Sequence, residues 1–174
     1  MIAERIVSKI ARIALRVFLI GNFACALGFA AAIILSVFFA GALEARLIAK
    51  YGPCIDVAQV LLAARLLFGL GIVAAVALHR VLATLLVILG TVTTGDPFTF
   101  ANAGRLRAIG WALLALQLFD LALGGFTAWF GALHVEFVRW GPSLGGWIAV
   151  LMAFVLANVF GRGAAMRDDL AMTV

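Results

Sequence analysis

The charges of this chain are gathered into short segments separated by long apolar runs, and the runs set the architecture. The first, Val17 to Leu43, holds 27 residues without a charge. Ala40-Gly41-Ala42 near its end looks like a signal-cleavage site, but a signal core is only about 7–15 residues long. The run therefore reads as an uncleaved first span, long enough to cross a bilayer with some tilt. Glu44 to Asp56 reads as a short polar loop, with Gly52-Pro53 stopping the helix. A second apolar run extends from Val57 to Thr94 and carries Arg65, His79 and Arg80. A span over 70–92 would hold Arg80 near the bilayer centre at a cost of several kcal/mol, roughly 3 or more. A span over 57–79 leaves His79-Arg80 at an interface, and it is the register expected. Residues 81–94 then extend the helix along the interface or against the N-terminal segment.

In Gly95-Asp96-Pro97-Phe98 the sequence offers a helix start, Asp96 as cap and Pro97 at the first helical position. The third span is expected over 106–131 and the fourth over 143–161, separated by a loop that ends at Gly141-Pro142. Residues 80–105 form the connection between spans two and three, and 162–174 a polar tail. Ahead of the first span, residues 1–16 carry two adjacent helical stripes, one of Ile2, Ile6, Ile10 and Ile13, the other of Arg5, Lys9, Arg12 and Arg16. Such a segment serves either as a helix lying on the membrane surface or as a plain basic flank of the first span. The chain thus reads as a single all-α membrane domain, four transmembrane helices in an antiparallel bundle.

Composition agrees. The 174 residues are 66% hydrophobic and 12% charged, with a mean hydropathy of +1.21. A soluble fold of this size has too much surface to hide so much apolar area. The net charge of +5 would point to nucleic acid in a soluble chain. Here the basic residues flank apolar runs, so lipid contact and topology account for them and direct nucleic-acid binding is not expected. Arg5, Lys9, Arg12, Arg16, Arg80, Arg105, Arg107, Arg162 and Arg167 fall on one side of the four-span scheme, against Arg46, Lys50 and Arg139 on the other. This asymmetry predicts both termini in the cytoplasm. Trp129, Trp140 and Trp147 then sit near the outer interface and Trp111 near the inner one.

Two features bear on packing. Small residues recur every fourth position in the first span (Ala24, Gly28, Ala32, Ser36, Ala40) and in the fourth (Gly145, Ala149, Ala153, Ala157, Gly161). Both ladders read as helix–helix contact faces, with each other or across a homo-oligomer. Arg65 and Asp120 are the ionisable residues set well inside spans, at similar depth. A charge alone in hydrocarbon is costly, which predicts an Arg65–Asp120 ion pair with Gln117 as a further partner. The functional alternative is a proton or ion path built on Asp120.

Catalytic chemistry is not indicated. No phosphate-binding glycine loop, Gly-x-Ser-x-Gly elbow, His-Glu-x-x-His or Cys-x-x-Cys occurs. His79 and His134 fall on opposite sides of the membrane, Ser8, Ser36 and Ser143 lack a nearby base, and Cys25 and Cys54 lie at different depths. No catalytic residue, metal site or cofactor is expected.

Two short motifs carry a family likeness. One is Gly95-Asp96-Pro97-Phe98 followed by Asn102, Arg105-Leu106 and Ile109-Gly110-Trp111; the other is Val159-Phe160, Gly163, Met166-Arg167-Asp168-Asp169 and the terminal Thr173-Val174. With the four-span layout, they resemble a bacterial multi-pass membrane family of unknown function, over essentially the whole chain. Gly161 departs from it, since that family more often has a basic residue there. The resemblance implies genes that often lie beside a small helix-turn-helix regulator of the Cro/repressor type. The leading expectation is a regulatory or scaffold protein of the bacterial inner membrane. Its partner-binding residues would be Asp96, Pro97, Phe98, Asn102, Arg105, Arg167, Asp168, Asp169, Thr173 and Val174, and its partner a cytoplasmic DNA-binding regulator. The bland reading of the same residues is a helix start and a solvated helix end. The competing functions are a small transporter or channel component using Asp120, and a structural partner of another membrane protein.

Overall fold

The computed structural model describes residues 2–94, 98–136, 140–141 and 143–171, and the side chains of 6–91, 98–136, 140–141 and 143–169. The described residues are helical, in the order α1 (Ile2–Phe38), α2 (Ala40–Tyr51), α3 (Val57–Thr94), α4 (Phe100–Ala132) and α5 (Leu144–Ala171). All but α2 are long and apolar enough to cross a membrane. Ile20 is 71% and Phe38 79% exposed, and similar apolar residues run the length of α1. Only a lipid surrounding accommodates that exposure. The architecture is that of a multi-pass membrane protein.

The helices are longer than the spans expected of them. At 1.5 Å per residue the 37 residues of α1 and the 38 of α3 each extend about 56 Å, against a hydrocarbon core of about 30 Å. The basic segment 2–16 is continuous with the first span, both belonging to the single helix α1. Residues 81–94 likewise continue α3 without a break, and they pack on α4: Val81, Leu85 and Ile88 cluster with Leu106, Ile109 and Leu113. The tail is helical as far as Ala171, where α5 ends.

Glu44 to Tyr51, expected as loop, belongs to α2. Alanine, leucine, glutamate, arginine and lysine dominate this stretch, and all favour helix. The chain bends at Phe39 (φ −107°, ψ 26°), yet its N–H still donates to the Leu35 carbonyl and its own carbonyl accepts from Leu43. α2 is thus a kinked continuation that brings Leu47 onto the Val60–Ala63–Phe130 cluster. Gly52 ends it with φ +92°, a conformation that costs a side-chain-bearing residue strain. Asp56 then caps α3, accepting from the backbone N–H of Gln59 at 3.0 Å and from its side-chain amide at 2.9 Å.

Packing runs in chain order. α3 lies against α1, α4 against α3 and α5 against α4, while among the described residues neither α1 nor α3 packs on α5, nor α1 on α4. The register is antiparallel throughout. Val60 and Ala63 meet Phe130 near one end of the α3–α4 pair, and Val81 meets Ile109 further along it. Along the α4–α5 pair Gly110 faces Phe154 and Gly161 faces Ala103. The N-terminus of α1, the end of α3, the start of α4 and the end of α5 therefore share one end, here termed the basic end.

The small-residue ladders do not meet each other. In α1 only Ser36 of its ladder is buried, and Gly28 has open space around it. In α5 Ala153 and Ala157 are buried, and their partner is α4. α4 closes with a C-terminal motif in which His134 takes φ +56°, its N–H donating to Gly131 and the Val135 N–H to Phe130. Glycine usually fills this position; here histidine does, secured by Val135 packing against the Phe130 cluster.

Candidate functional site

The basic end is built around the start of α4. Thr99 has extended backbone angles, and its hydroxyl accepts the Asn102 N–H at 3.2 Å, so Thr99 caps a helix that begins at Phe100. The expected cap, Asp96, is corrected by this. The Thr99-to-Asn102 spacing puts a hydroxyl opposite the third helical N–H, and that geometry decides the start. Asp96 and Pro97 themselves lie outside the described residues.

Asn102 is fully buried. Its amide nitrogen donates to the Thr91 hydroxyl at 2.9 Å, which in turn donates to the Ile88 carbonyl at 2.8 Å. Its amide oxygen accepts from Arg105 at 2.7 Å. One side chain thus ties the last turns of α3 to the first turn of α4 and fixes an arginine beside them. Phe98, just ahead of the cap, stacks at a tilt on Phe160 with ring centroids 5.0 Å apart. It also covers Gly163, where a Cβ would come within 3.0 Å of the ring. The connection between α3 and α4 is thereby anchored to α5 as well.

Of the expected partner-binding residues, Phe98, Asn102 and Arg105 are brought together here. Phe98 remains partly exposed. Arg167 and Asp168 stand on the final turns of α5, half exposed and 3.5 Å apart, with Asp169 exposed beside them. Thr173 and Val174 lie outside the described residues. Thr91 and Thr99 were missed by sequence reading; the polar pair Thr91 and Asn102 flanking a helix break was the available signal.

At the opposite end the expected Arg65–Asp120 ion pair is not formed. Arg65 donates to the Ser36 hydroxyl at 2.9 Å and to the Ser36 carbonyl at 2.8 Å, both in α1. Asp120 accepts the Trp140 indole N–H at 3.2 Å. The reason is helical phase. Arg65 lies five residues after Val60, so it points about 140° away from the face that packs on α4. Asp120 shares a face with Gln117 and Gly124, which look toward α5 and its preceding segment. Trp140 lies flat against Gly124, where a Cβ would come within 2.8 Å of the indole. Gln117 donates to the Ser143 carbonyl at 3.3 Å and occupies the space a side chain at Gly146 would need. A further polar contact, Asn22 donating to the Ala75 carbonyl at 2.9 Å, links α1 to α3 mid-span.

A double-mutant cycle separates these assignments. Ser36→Ala with Arg65→Met should show coupling of about 0.5–1 kcal/mol, because Arg65 keeps its bond to the Ser36 carbonyl when the hydroxyl is lost. Arg65→Met with Asp120→Asn should be additive within about 0.5 kcal/mol. Strong coupling in the second pair would restore the ion pair.

Among the described residues no group of three or more His, Cys, Asp or Glu is placed to hold a metal. No curated protein and no solved structure matches the chain. Residues 56–174, from the cap of α3 to the last residue, match the family described as "Protein of unknown function (DUF2975)". Both motif segments lie inside that match, while α1 and α2 lie outside it, so the likeness covers less than the whole-length resemblance expected. On that match, the chain belongs to the DUF2975 family.

Proposed function

We propose that the protein is a non-enzymatic regulatory or scaffold protein of a bacterial cytoplasmic membrane, with its basic end inside, and that this end holds a soluble partner. The observation that carries the reading is the contrast within that end. Its floor is rigid, made by the buried Asn102 with Thr91, Thr99 and Arg105. Its rim displays exposed Phe98, Arg167, Asp168 and Asp169 on helix termini. A fixed floor under displayed polar and aromatic groups lowers the ordering cost of binding a partner. The partner we favour is a small helix-turn-helix regulator, whose basic DNA-binding surface complements Asp168 and Asp169.

Pull-down of tagged protein from membranes tests this. The wild type should recover such a regulator, and Asp168→Lys with Asp169→Lys should abolish recovery. Charge reversal is cleaner than deleting 162–174, because Ala164 is buried and its removal would disturb packing. Unchanged recovery by the reversed variant would reject the α5 terminus as the docking point. The transporter reading has less support, since Asp120 is engaged by an indole that fixes a loop.

A further inference from the structure

Between the basic-end turns of α4 and α5 lies an open notch of about 350 Å³. Gly104 and Gly161 leave it empty by lacking side chains. Its floor is apolar, formed by the buried Ala103 and Ala157, and Phe100 stands at one edge. Its polar lining is Arg107 from α4 and Asn158 and Arg162 from α5. Among the described residues neither the Arg107 nor the Arg162 side chain has a hydrogen bond or ion pair with the protein. Two exposed guanidinium groups on facing helices, with a carboxamide beside them and no carboxylate in the lining, offer the donors an anion requires. Guanidinium forks match phosphate oxygens in particular.

The level of the notch narrows the ligand. Arg107 lies one helical turn from the exposed Trp111, about 6 Å along the axis. An indole there marks the interface between hydrocarbon and water. The notch therefore sits where lipid headgroups lie. Its volume exceeds what a bare ion needs and falls within the range of small-ligand sites, about 300–1,000 Å³. The apolar floor suits the glycerol and first acyl carbons that follow a headgroup phosphate.

We infer that Arg107, Asn158 and Arg162 form a binding site for a phosphate-bearing anion between α4 and α5, supplied by the headgroup of an anionic phospholipid. Basic pockets between membrane helices are suited to this chemistry. The site does not depend on any soluble partner.

Native mass spectrometry of the detergent-solubilised protein, equilibrated with equal amounts of phosphatidylglycerol and phosphatidylcholine, tests the inference. The wild type should retain phosphatidylglycerol selectively. Arg107→Gln with Arg162→Gln should lower that retention about thirtyfold, roughly fivefold for each charge. Gly104→Leu, which fills the notch with both charges intact and meets open space on its own helix, should lower it as well. Lys9→Gln with Arg80→Gln removes equal charge outside the notch and should leave selectivity unchanged. Excess inorganic phosphate separates the two sources. Lipid retention that survives it assigns the headgroup; displacement of lipid by phosphate assigns the free ion as ligand of the same residues. Equal retention by wild type and the Arg107/Arg162 variant, or equal loss in the Lys9/Arg80 variant, overturns the site.

Discussion

Replacing Asn102 by leucine should lower the stability of the protein in a denaturing-detergent titration by about 2–3 kcal/mol. The size follows from burial and from the two partners. The Thr91 hydroxyl loses its incoming donor, and the Arg105 guanidinium loses its acceptor at 2.7 Å. Leucine has nearly the same volume but satisfies neither, and buried polar groups left alone cost more than the bond itself contributed. Thr91→Val alone should cost less, because Asn102 keeps Arg105. The double variant, Asn102→Leu with Thr91→Val, should be less destabilised than the two singles summed, since both ends of one bond are then gone. A loss below about 0.5 kcal/mol for Asn102→Leu, the range of ordinary surface changes, would show that the residue does not tie α3 to α4.

The second large effect is expected at Trp140. Trp140→Phe should cost about 1–3 kcal/mol, because it leaves the Asp120 carboxylate without its indole donor inside an apolar span. Adding Asp120→Leu should recover part of that loss, since the carboxylate then disappears with its partner. Asp120→Asn should stay near wild type, as the amide oxygen still accepts the indole N–H. These three variants separate a clamp from a charge pathway. If Asp120→Asn instead halted a transport activity while stability held, the carboxylate's charge would be the functional element and the clamp incidental.

The spans were legible because lipid imposes a simple requirement, a long run with no unpaired charge, and four runs met it. What escaped was azimuth. Arg65 and Asp120 were placed at matching depth, but residue spacing alone did not show that Arg65 faces α1, because the order of helices around α3 was unknown. The start of α4 lies three residues beyond the expected one, since Asp96-Pro97 and Thr99 are both sound caps by sequence and the hydroxyl-to-Asn102 bond decides between them. The charges of Glu44 to Tyr51 suggest a loop, although its residue types favour helix. The ladders exposed the limit of spacing rules: Ala153 and Ala157 of the α5 series are buried against α4, while Ala24 and Gly28 of the α1 series face outward. The site at the basic end was half visible, as Phe98, Asn102 and Arg105 were named but Thr91 and Thr99, which make Asn102 a bridge, were not.

The linear order of helix contacts has a consequence for how the chain is made. Each span needs only the span delivered just before it, so nothing has to wait for a distant segment to emerge. Assembly can follow synthesis, one hairpin joining the last, with few long-range closures to slow it. The final hairpin would be the one that seats Phe98 and Trp140, so both ends of the array mature together at the last step.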